Sequence, residues 1–406
     1  MKKIAYQIKV SLTIAALYAS NSIVAYEIDH LEPPFWWVDM EEEKLQLIVH
    51  GKNISFLQPQ IDYENVEIIG VKRTENNNYL FIDLSLKNAI PGKFDIQFIR
   101  LGKVEAEYNY VLRERSLGSK DRAGFDPGDV IYLITPDRYV NGDLKNDSVD
   151  GLKEKLKRNN KDGRHGGDIQ GIINQLGYID QMGFTQLWLN PVLVNDQKTY
   201  SYHGYSTTDF YNIDPRFGDN RLYLELSEKA KARGIGIIKD VILNHIGSEH
   251  WWMDDLPSND WINNGGNFIN TNHIHESIHD PHLSVFEKNL FTDGWFVKSM
   301  PDLNQRNELL ETYLIQNSIW WIEYANLSGF RVDTYPYVDK NFLSTWSMRI
   351  SSEYPNFNFV GEEWNNNPTI VSYWQKNSPR HDEYVSFIPS MMDFPLQNAI
   401  VKGLQE

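Results

Sequence analysis

From residue 130 onward, the sequence alternates between short apolar runs, which are typical of β-strands, and longer segments with helical patterning. The predicted strands cover residues 130–135, 185–191, 236–243, 329–334, 357–361 and 384–391. The predicted helices cover residues 169–182, 220–233, 308–324, 340–353 and 396 onward. Regular alternation of this kind predicts a parallel sheet with helical crossovers. Both a doubly wound sheet and a (β/α)8 barrel begin in this way.

Two features favour the barrel. Pro136, Asp137, Arg138 and Tyr139 follow the first predicted strand, where a nucleotide-binding doubly wound sheet would carry a glycine-rich phosphate loop. Polar residues also gather after several different strands, at the end where barrel enzymes hold their chemistry. We therefore predict an α/β fold with an incomplete (β/α)8 TIM barrel of about six units, covering residues 114–406 and interrupted by a small inserted lobe at about residues 247–302.

Residues 26–113 show a different pattern. Short alternating or apolar runs lie between turn residues at 45–49, 66–71, 79–84, 94–99 and 106–112. This pattern predicts a small all-β sandwich ahead of the barrel. The polar, charged stretch at 113–128 predicts a linker between the two domains.

The first 25 residues resemble a secretory signal peptide. They carry Lys2, Lys3 and Lys9, then a mainly apolar run over 10–18, then small and polar residues up to Ala25. The apolar run is too short for a permanent membrane span. We therefore expect cleavage after Ala25 and a periplasmic or secreted protein that has no membrane attachment once the signal is removed.

The composition excludes several classes of function. The chain has no cysteine, which excludes disulfides, thiolate zinc sites and cysteine nucleophiles. Its 55 Asp and Glu residues outnumber 39 Lys and Arg residues, and the net charge of −16 argues against nucleic acid or an anionic membrane as a partner. The 53 Phe, Trp and Tyr residues are compatible either with a large aromatic core or with stacking against sugar rings.

Carboxylates end two of the predicted strands. Arg331 and Asp333 are two residues apart and so point to the same side of the sheet, where the cation is expected to keep the carboxylate ionised. Glu362 and Glu363 follow the next strand, and alternation allows only one of them to face the same side. A facing pair of carboxylates about 5 to 5.5 Å apart is the arrangement of a retaining glycosidase. A structural ion pair at the strand ends is the alternative.

Four segments resemble, in order, motifs of the α-amylase family of glycoside hydrolases, and in particular of its neopullulanase and cyclomaltodextrinase branch. They are DVILNH at 240–245, MPDLN at 300–304, GFRVDTYPY at 329–337 and GEEW at 361–364. The resemblance implies that Asp333 is the nucleophile and Glu362 the general acid and base. It also implies substrate-binding roles for Arg331, His245 and Asp240.

Two further segments are similar to parts of the same branch. Residues 202–205 look like the loop after the second strand, which implies that Tyr205 stacks on the bound sugar and that His203 lies in the same subsite; a buried structural tyrosine is the alternative. Residues 32–37 and 45–47 look like the β-module that precedes the barrel. That module often helps to form dimers in similar enzymes, so the resemblance is compatible with a homodimer.

The loop after the first strand is rich in Asn and Asp. Oxygen ligands of this kind suit a hard cation such as Ca²⁺, although an Asn- and Asp-rich turn without metal has the same composition. Similar loops in the branch bind structural calcium. The resemblance therefore implies a Ca²⁺ site formed by Asn141, Asp143, Asn146, Asp147, Gly166 and Asp168.

One motif of the family has no counterpart in this sequence. Members use a third acid after the seventh strand to hold substrate hydroxyls, and no such motif follows Glu363. We therefore expect a truncated chain with open strand edges and poor activity, because a lost transition-state contact lowers the rate. The expected function is retaining hydrolysis of α-1,4 bonds in maltooligosaccharides, cyclodextrins or pullulan. The alternative is a non-catalytic or vestigial α-glucan-binding protein.

Overall fold

The structure, a computed structural model, describes residues 26–405. The predicted signal peptide, residues 1–25, lies outside the described residues. Within the described part, no helix combines the length and the apolar composition needed to cross a bilayer.

The N-terminal region is all β. Its strands are β1 (His30–Glu32), β2 (Trp36–Trp37), β3 (Lys44–His50), β4 (Gln58–Ile61), β5 (Glu67–Lys72), β6 (Tyr79–Ser85), β7 (Gly92–Arg100) and β8 (Lys103–Arg113). They form two four-stranded sheets, in the orders β1-β3-β6-β5 and β2-β8-β7-β4. Phe94, Ile96 and Phe98 alternate with more exposed residues along β7 and are buried, as the period of two predicts for a strand with one face on a core.

The rest of the chain alternates between strands and helices. The elements are β9 (Ile131–Ile134), α1 (Ile169–Gln181), β10 (Gln186–Leu189), α2 (Asn220–Lys231), β11 (Gly236–Val241), α3 (Trp251–Asp254), α4 (Val285–Thr292), α5 (Glu308–Ala325), β12 (Gly329–Val332), α6 (Lys340–Glu353), β13 (Asn358–Gly361), α7 (Pro368–Tyr373), β14 (Ser390–Met391) and α8 (Phe394–Gln405). The six strands are parallel neighbours in chain order, β9 to β14. A doubly wound sheet reverses its strand order, whereas a barrel does not. The partial TIM barrel is therefore confirmed.

The helices begin at residues whose side chains cap them. Asp168 accepts a hydrogen bond from Gly171 N at the start of α1 (2.6 Å), and Asp219 accepts one from Leu222 N at the start of α2 (2.6 Å). Asn307 and Asp339 cap α5 and α6 in the same way. Such caps satisfy amides that the first helical turn leaves unpaired.

Both outer strands of the six-stranded sheet have an open edge among the described residues. β9 pairs with β10 and β14 pairs with β13. Ile131 and Leu133 on β9 are 40% and 46% exposed, and α8 buries none of its residues. Apolar surface is thus exposed at the two ends of the sheet, as expected for an incomplete barrel.

Two residues of the stretch predicted to be a linker are packed against the barrel helices. Arg115 pairs with Glu323 of α5 (3.0 Å) and Glu353 of α6 (2.6 Å), and Arg122 pairs with Glu323 as well (3.3 Å). All four side chains are nearly buried. Two arginines of the 113–128 stretch therefore form buried ion pairs with the barrel helices, which a linear sequence does not reveal, while most of the other residues in the stretch are exposed.

The inserted lobe is also joined to the sandwich. Asp255, just after α3, accepts hydrogen bonds from Asn76 Nδ2 (2.5 Å) and Asn78 Nδ2 (2.8 Å) of the sandwich and contacts His50 Nε2 (3.1 Å). His30 stacks on Trp251 at 4.0 Å between ring centres. The lobe is therefore supported from the N-terminal side.

Candidate active site

Three neighbouring strands bring acidic residues to one edge of the sheet. Asp240 lies on β11 opposite Arg331 of β12, and Asp333 and Glu362 directly follow β12 and β13. The backbone hydrogen bonds between neighbouring strands continue past the strand ends. Asp333 N donates to Val241 O (2.9 Å), and Glu362 N donates to Val332 O (3.0 Å). The residues thus sit at the carboxyl edge, where barrel enzymes carry their active sites.

A single guanidinium holds the three acids together. Arg331 Nη1 contacts Asp240 Oδ1 at 2.9 Å and Asp333 Oδ1 at 2.6 Å, and its Nη2 contacts Glu362 Oε1 at 2.6 Å. All four residues are buried, with Asp240 1% and Glu362 9% exposed. One positive charge therefore faces three carboxylates at a buried site.

The charge balance at Asp333 differs from the sequence-based expectation. The neighbouring Arg331 was expected to keep Asp333 ionised, but burial raises the pKa of Asp333 to about 7, with Arg331 opposing and the charges of Glu362 and Asp240 adding to the rise. Burial likewise raises the pKa of Asp240. Arg331 does lower the pKa of Asp333 as predicted, but the sequence did not show the burial of Asp333 or the two further carboxylates, which together outweigh the arginine.

A tyrosine and a tryptophan extend this cluster. The second oxygen of Asp240, Oδ2, accepts hydrogen bonds from Trp188 Nε1 and from Tyr205 Oη, each at 3.0 Å. Asn190 Nδ2 donates to Tyr205 Oη at 2.8 Å. Trp188 and Asn190 were missed by the sequence analysis, although their two-residue spacing at the end of the second strand was an available signal.

The two predicted histidines both bind the backbone of Tyr205. Tyr205 N donates to His203 Nδ1, and His245 Nε2 donates to Tyr205 O, each at 2.9 Å. Burial lowers the pKa of each histidine to about 4, so both rings are neutral at pH 7. The structure therefore brings together all seven predicted catalytic and substrate-binding residues.

Glu362 and Glu363 face opposite ways, as alternation requires. Glu362 contacts Arg331 and accepts a hydrogen bond from Thr334 N (2.9 Å). Glu363 is fully buried and contacts Trp374 and His275 instead. Glu362 is thus the glutamate that joins the acidic cluster.

A cavity of about 270 Å³ opens beside Glu362. Its lining includes side chains of the inserted lobe and of the turns after β12 and β13, namely His273, His275, Phe296, Tyr337 and Trp364. Trp364 is 70% exposed. The sequence predicts an inserted lobe at about residues 247–302 but none of these individual lobe residues, because their contacts join distant parts of the chain.

The predicted calcium residues lie in one compact loop region. Asn141 Nδ2 donates to Asp147 Oδ1 (2.6 Å), and Asp168 accepts from Gly142 N and Asp143 N (3.0 and 2.8 Å). Gly166 has a φ of 86°, and a Cβ there would lie 2.2 Å from Asp147 Oδ1. The close backbone approach explains why glycine stands at this position.

Two amide oxygens in this loop region lack partners. Asn141 Oδ1 and Asn146 Oδ1 are buried and accept no hydrogen bond from any described residue. Over residues 26–405, no group of three or more His, Asp or Glu side chains is arranged to hold a metal ion. The oxygens that fit a hard cation here are therefore amide and isolated carboxylate oxygens rather than a carboxylate cluster.

A buried lysine precedes the acidic cluster. Lys239 is 3% exposed, its Nζ lies 5.2 Å from the centre of the Trp321 ring, and it donates to Asp240 O at 3.3 Å. No carboxylate within residues 26–405 forms an ion pair with it. Burial lowers the pKa of Lys239 to about 7.

Replacing Lys239 with methionine is expected to stabilise the protein by on the order of 1–3 kcal/mol, because an unpaired buried charge is removed. Between pH 7 and 10.5 the unfolded chain keeps the lysine proton that the folded protein has lost, so wild-type stability rises with pH there. The stability that Lys239→Met gains over wild type is therefore largest below pH 7. Thermal unfolding at pH 6 and pH 9 measures it. Lys231→Met, at an exposed lysine, is the control, and a Lys239→Met protein less stable than wild type at pH 6 would contradict the account.

Family comparisons cover both regions of the chain. The family described as "Alpha amylase, catalytic domain" matches residues 133–399, which is more than half of the chain. The family described as "Cyclomaltodextrinase, N-terminal" matches residues 30–116. The two matches correspond to the partial barrel and to the β-sandwich.

Several characterised relatives share part of this sequence. A cyclomaltodextrinase from Thermoanaerobacter pseudethanolicus is 29% identical over 279 residues, which cover 67% of this chain and 43% of that protein. Neopullulanase 2 from Thermoactinomyces vulgaris is 32% identical over 244 residues, covering 58% of this chain and 38% of that protein. The chain thus spans less than half the length of these relatives.

Solved structures agree with these matches. The α-amylase of Geobacillus thermoleovorans in complex with acarbose has a TM-score of 0.53 and 31% identity, over 67% of this chain and 53% of that one. An Anoxybacillus α-amylase has a TM-score of 0.56 and 30% identity, over 68% and 54%. Together with the strand-end acids gathered on Arg331, these matches show that the chain belongs to the α-amylase family of glycoside hydrolases.

Proposed function

We propose that this protein is a retaining glycoside hydrolase that cleaves α-1,4-glucosidic bonds in maltooligosaccharides, cyclodextrins or pullulan. The observation that carries the proposal is the pairing of Asp333 and Glu362 with the two terminal nitrogens of one buried guanidinium, that of Arg331. This arrangement holds two carboxylates close together at the carboxyl edge of a barrel sheet. The names of the relatives support the substrate class.

In this proposal Asp333 attacks the anomeric carbon and forms a glycosyl ester while Glu362 protonates the departing glycosidic oxygen. Glu362 then takes a proton from water, which attacks the same carbon, frees Asp333 and restores the starting state. Two inversions give net retention of the α configuration. Arg331 stabilises whichever carboxylates are ionised at each step.

The number of protons that the three acids are expected to hold near pH 7 is compatible with these two roles. The first step needs one ionised acid and one protonated acid. Three carboxylates around a single guanidinium carry an excess of negative charge when all are ionised, so a shared proton is favourable near pH 7. In the proposed mechanism Asp333 must be ionised and Glu362 protonated when the first step begins.

The remaining predicted residues are proposed to hold the sugar that is attacked. Neutral His245 and His203 fix the backbone of Tyr205, and Asp240 fixes its hydroxyl, so the tyrosine ring has a defined position beside Arg331. A rigid aromatic ring of this kind is suited to stacking on a sugar face.

Incubation of the full chain with maltoheptaose or β-cyclodextrin tests the proposed function. We expect shorter maltooligosaccharides whose new reducing ends are initially α, which proton NMR detects before mutarotation. New ends that are initially β would contradict retention. Binding of the glucan without any product would instead support the non-catalytic glucan-binding alternative.

We also propose that the loop of Asn141, Asp143, Asn146, Asp147, Gly166 and Asp168 binds a structural Ca²⁺ ion. The proposal is supported by the two buried, unpartnered amide oxygens of Asn141 and Asn146. When bound, the ion would hold this loop and the start of α1. It has no proposed part in bond cleavage.

Calcium is expected to raise the melting temperature of the EDTA-treated protein, because a ligand that binds only the folded state stabilises it. Asp147→Ala should remove this response, since it deletes a ligand beside Gly166. Differential scanning fluorimetry with Ca²⁺ and with Mg²⁺ measures it. Asp180→Ala, on α1 outside the loop, should respond like wild type. A wild-type protein whose melting temperature does not change with Ca²⁺ would contradict the proposal.

We also propose that the protein is exported to the periplasm or the medium and that it forms a homodimer through the N-terminal module. The first is supported by the charge and apolar pattern of residues 1–25. The second is supported by the match of residues 30–116 to the cyclomaltodextrinase N-terminal family.

A further inference from the structure

A chain of hydrogen bonds lies directly behind Glu362. The buried carboxylate of Glu363 accepts from Trp374 Nε1 at 2.9 Å and contacts His275 Nδ1 at 2.5 Å. The other nitrogen of that ring, His275 Nε2, lies 3.0 Å from Tyr337 Oη. Tyr337 Oη in turn lies 3.0 Å from His273 Nδ1. The chain therefore links a buried acid to the wall of the cavity beside Glu362.

The members of this chain come from separate parts of the fold. Glu363 follows β13, Tyr337 ends the turn Tyr335–Tyr337 after β12, and the two histidines belong to the inserted lobe. The ring of Tyr337 is fixed by stacking on Phe291 (4.3 Å between centres) and by edge contact with Phe296 (4.6 Å). The hydrogen bonds thus hold the lobe at the catalytic edge of the sheet.

The chemistry of the groups sets the direction of the chain. An ionised carboxylate only accepts hydrogen bonds, so His275 must carry its proton on Nδ1. In a neutral ring, His275 Nε2 is then bare and accepts from the Tyr337 hydroxyl. Tyr337 Oη in turn accepts from His273 Nδ1–H, which leaves His273 Nε2 bare. Burial lowers the pKa of His273 and favours its neutral form.

We propose that Glu363 is a positioning residue that acts through His275 and Tyr337 on His273. It fixes His273 in the tautomer whose Nε2 accepts a hydrogen bond from a hydroxyl of a sugar bound in the cavity beside Glu362. Exposed Trp364 and the Phe296 ring give the same cavity an apolar face for the sugar ring. The identity of the ligand rests on the proposed function, whereas the hydrogen-bond chain is a property of the protein without ligand.

Histidine ¹⁵N NMR of the ligand-free protein at pH 8 tests the chain of hydrogen bonds itself. We expect neutral rings protonated on Nδ1 at His273 and His275, assigned by loss of signals in His273→Phe and His275→Gln. Trp374 and His275 face different oxygens of Glu363, Oε2 and Oε1, and in Glu363→Gln only one of these two positions can hold the amide oxygen. Because Trp374 can only donate, the amide NH₂ should turn to His275 and reverse its tautomer.

Glu276→Gln is the matched control, since Glu276 is adjacent to His275 but bonds Asn365 instead (2.9 Å). It should leave both tautomers unchanged. A wild-type His275 that is cationic or protonated on Nε2 at pH 8, or a Glu363→Gln spectrum like that of wild type, would overturn the proposal whatever the ligand.

Binding of acarbose, measured by calorimetry, tests the contact of His273 with a sugar hydroxyl. His273→Phe keeps a ring and loses the acceptor, and both it and Glu363→Gln are expected to bind about threefold to tenfold more weakly. Glu276→Gln should bind like wild type. Unchanged affinity in His273→Phe would contradict the proposed contact. A wild type that does not bind acarbose would contradict the proposed function and the sugar contact, while the NMR result would still decide the hydrogen-bond chain.

Discussion

Asp333→Asn is expected to lower the rate of fluoride release from α-maltotriosyl fluoride by roughly 10⁴-fold or more, the scale of loss when a catalytic nucleophile is removed. Asparagine preserves the shape of the side chain but cannot form the glycosyl ester. Fluoride departs without protonation, so the rate reports attack by Asp333 rather than acid assistance by Glu362. A fluoride electrode measures the rate.

The same assay carries a prediction about pH. Because burial raises the pKa of Asp333 to about 7, wild-type fluoride release should increase from pH 5 to pH 8 as the nucleophile ionises. Asp339→Asn, which keeps the cap of α6, is the matched control and should retain the wild-type rate. An Asp333→Asn protein with more than a tenth of the wild-type rate would show that another group attacks.

Arg331→Met is expected to destabilise the fold by on the order of 3–5 kcal/mol, because three buried carboxylates lose their common cation. Without Arg331 the folded protein retains protons on these acids that the unfolded chain has released. Stability of the variant should therefore fall as pH rises from 5 to 8. Urea unfolding at both pH values measures the difference from wild type.

Arg221→Met is the control for this loss. Arg221 is 78% exposed and lies 3.9 Å from Glu225 on the surface of α2, so its removal should leave the unfolding midpoint unchanged. An Arg331→Met protein as stable as wild type at pH 8 would mean that the carboxylates are not held by this arginine.

The sequence predicts the sheet from local periodicity, whereas it predicts the acidic cluster from periodicity together with the resemblance to the α-amylase family, which selects Glu362 over Glu363. Alternation places Arg331 and Asp333 on the same side of β12 and separates Glu362 from Glu363 after β13. Consecutive βα units give strands that are neighbours in chain order. Each of these relations involves residues that are close in the sequence, so it can be predicted without knowledge of tertiary contacts.

Features that depend on distant contacts were not predictable in this way. The pKa of Asp333 depends first on its burial and then on Arg331, Glu362 and Asp240, and the last two reach the same guanidinium from two other strands. Arg115 looked like part of a linker because its partners Glu323 and Glu353 lie on helices some 200 residues later in the chain. The lobe histidines meet Glu363 only once the insert folds back onto the sheet.

In the proposed mechanism Asp333 forms a covalent bond to the sugar, and Glu362 first gives a proton to the leaving group and then takes one from water. Glu362→Gln should react with α-maltotriosyl fluoride, because fluoride leaves without a proton from an acid. The resulting maltotriosyl ester on Asp333 should be hydrolysed slowly, because no base activates water. Mass spectrometry of the digested protein should then find one maltotriosyl group on the peptide that contains Asp333. Absence of the adduct, or an adduct on another residue, would contradict the account.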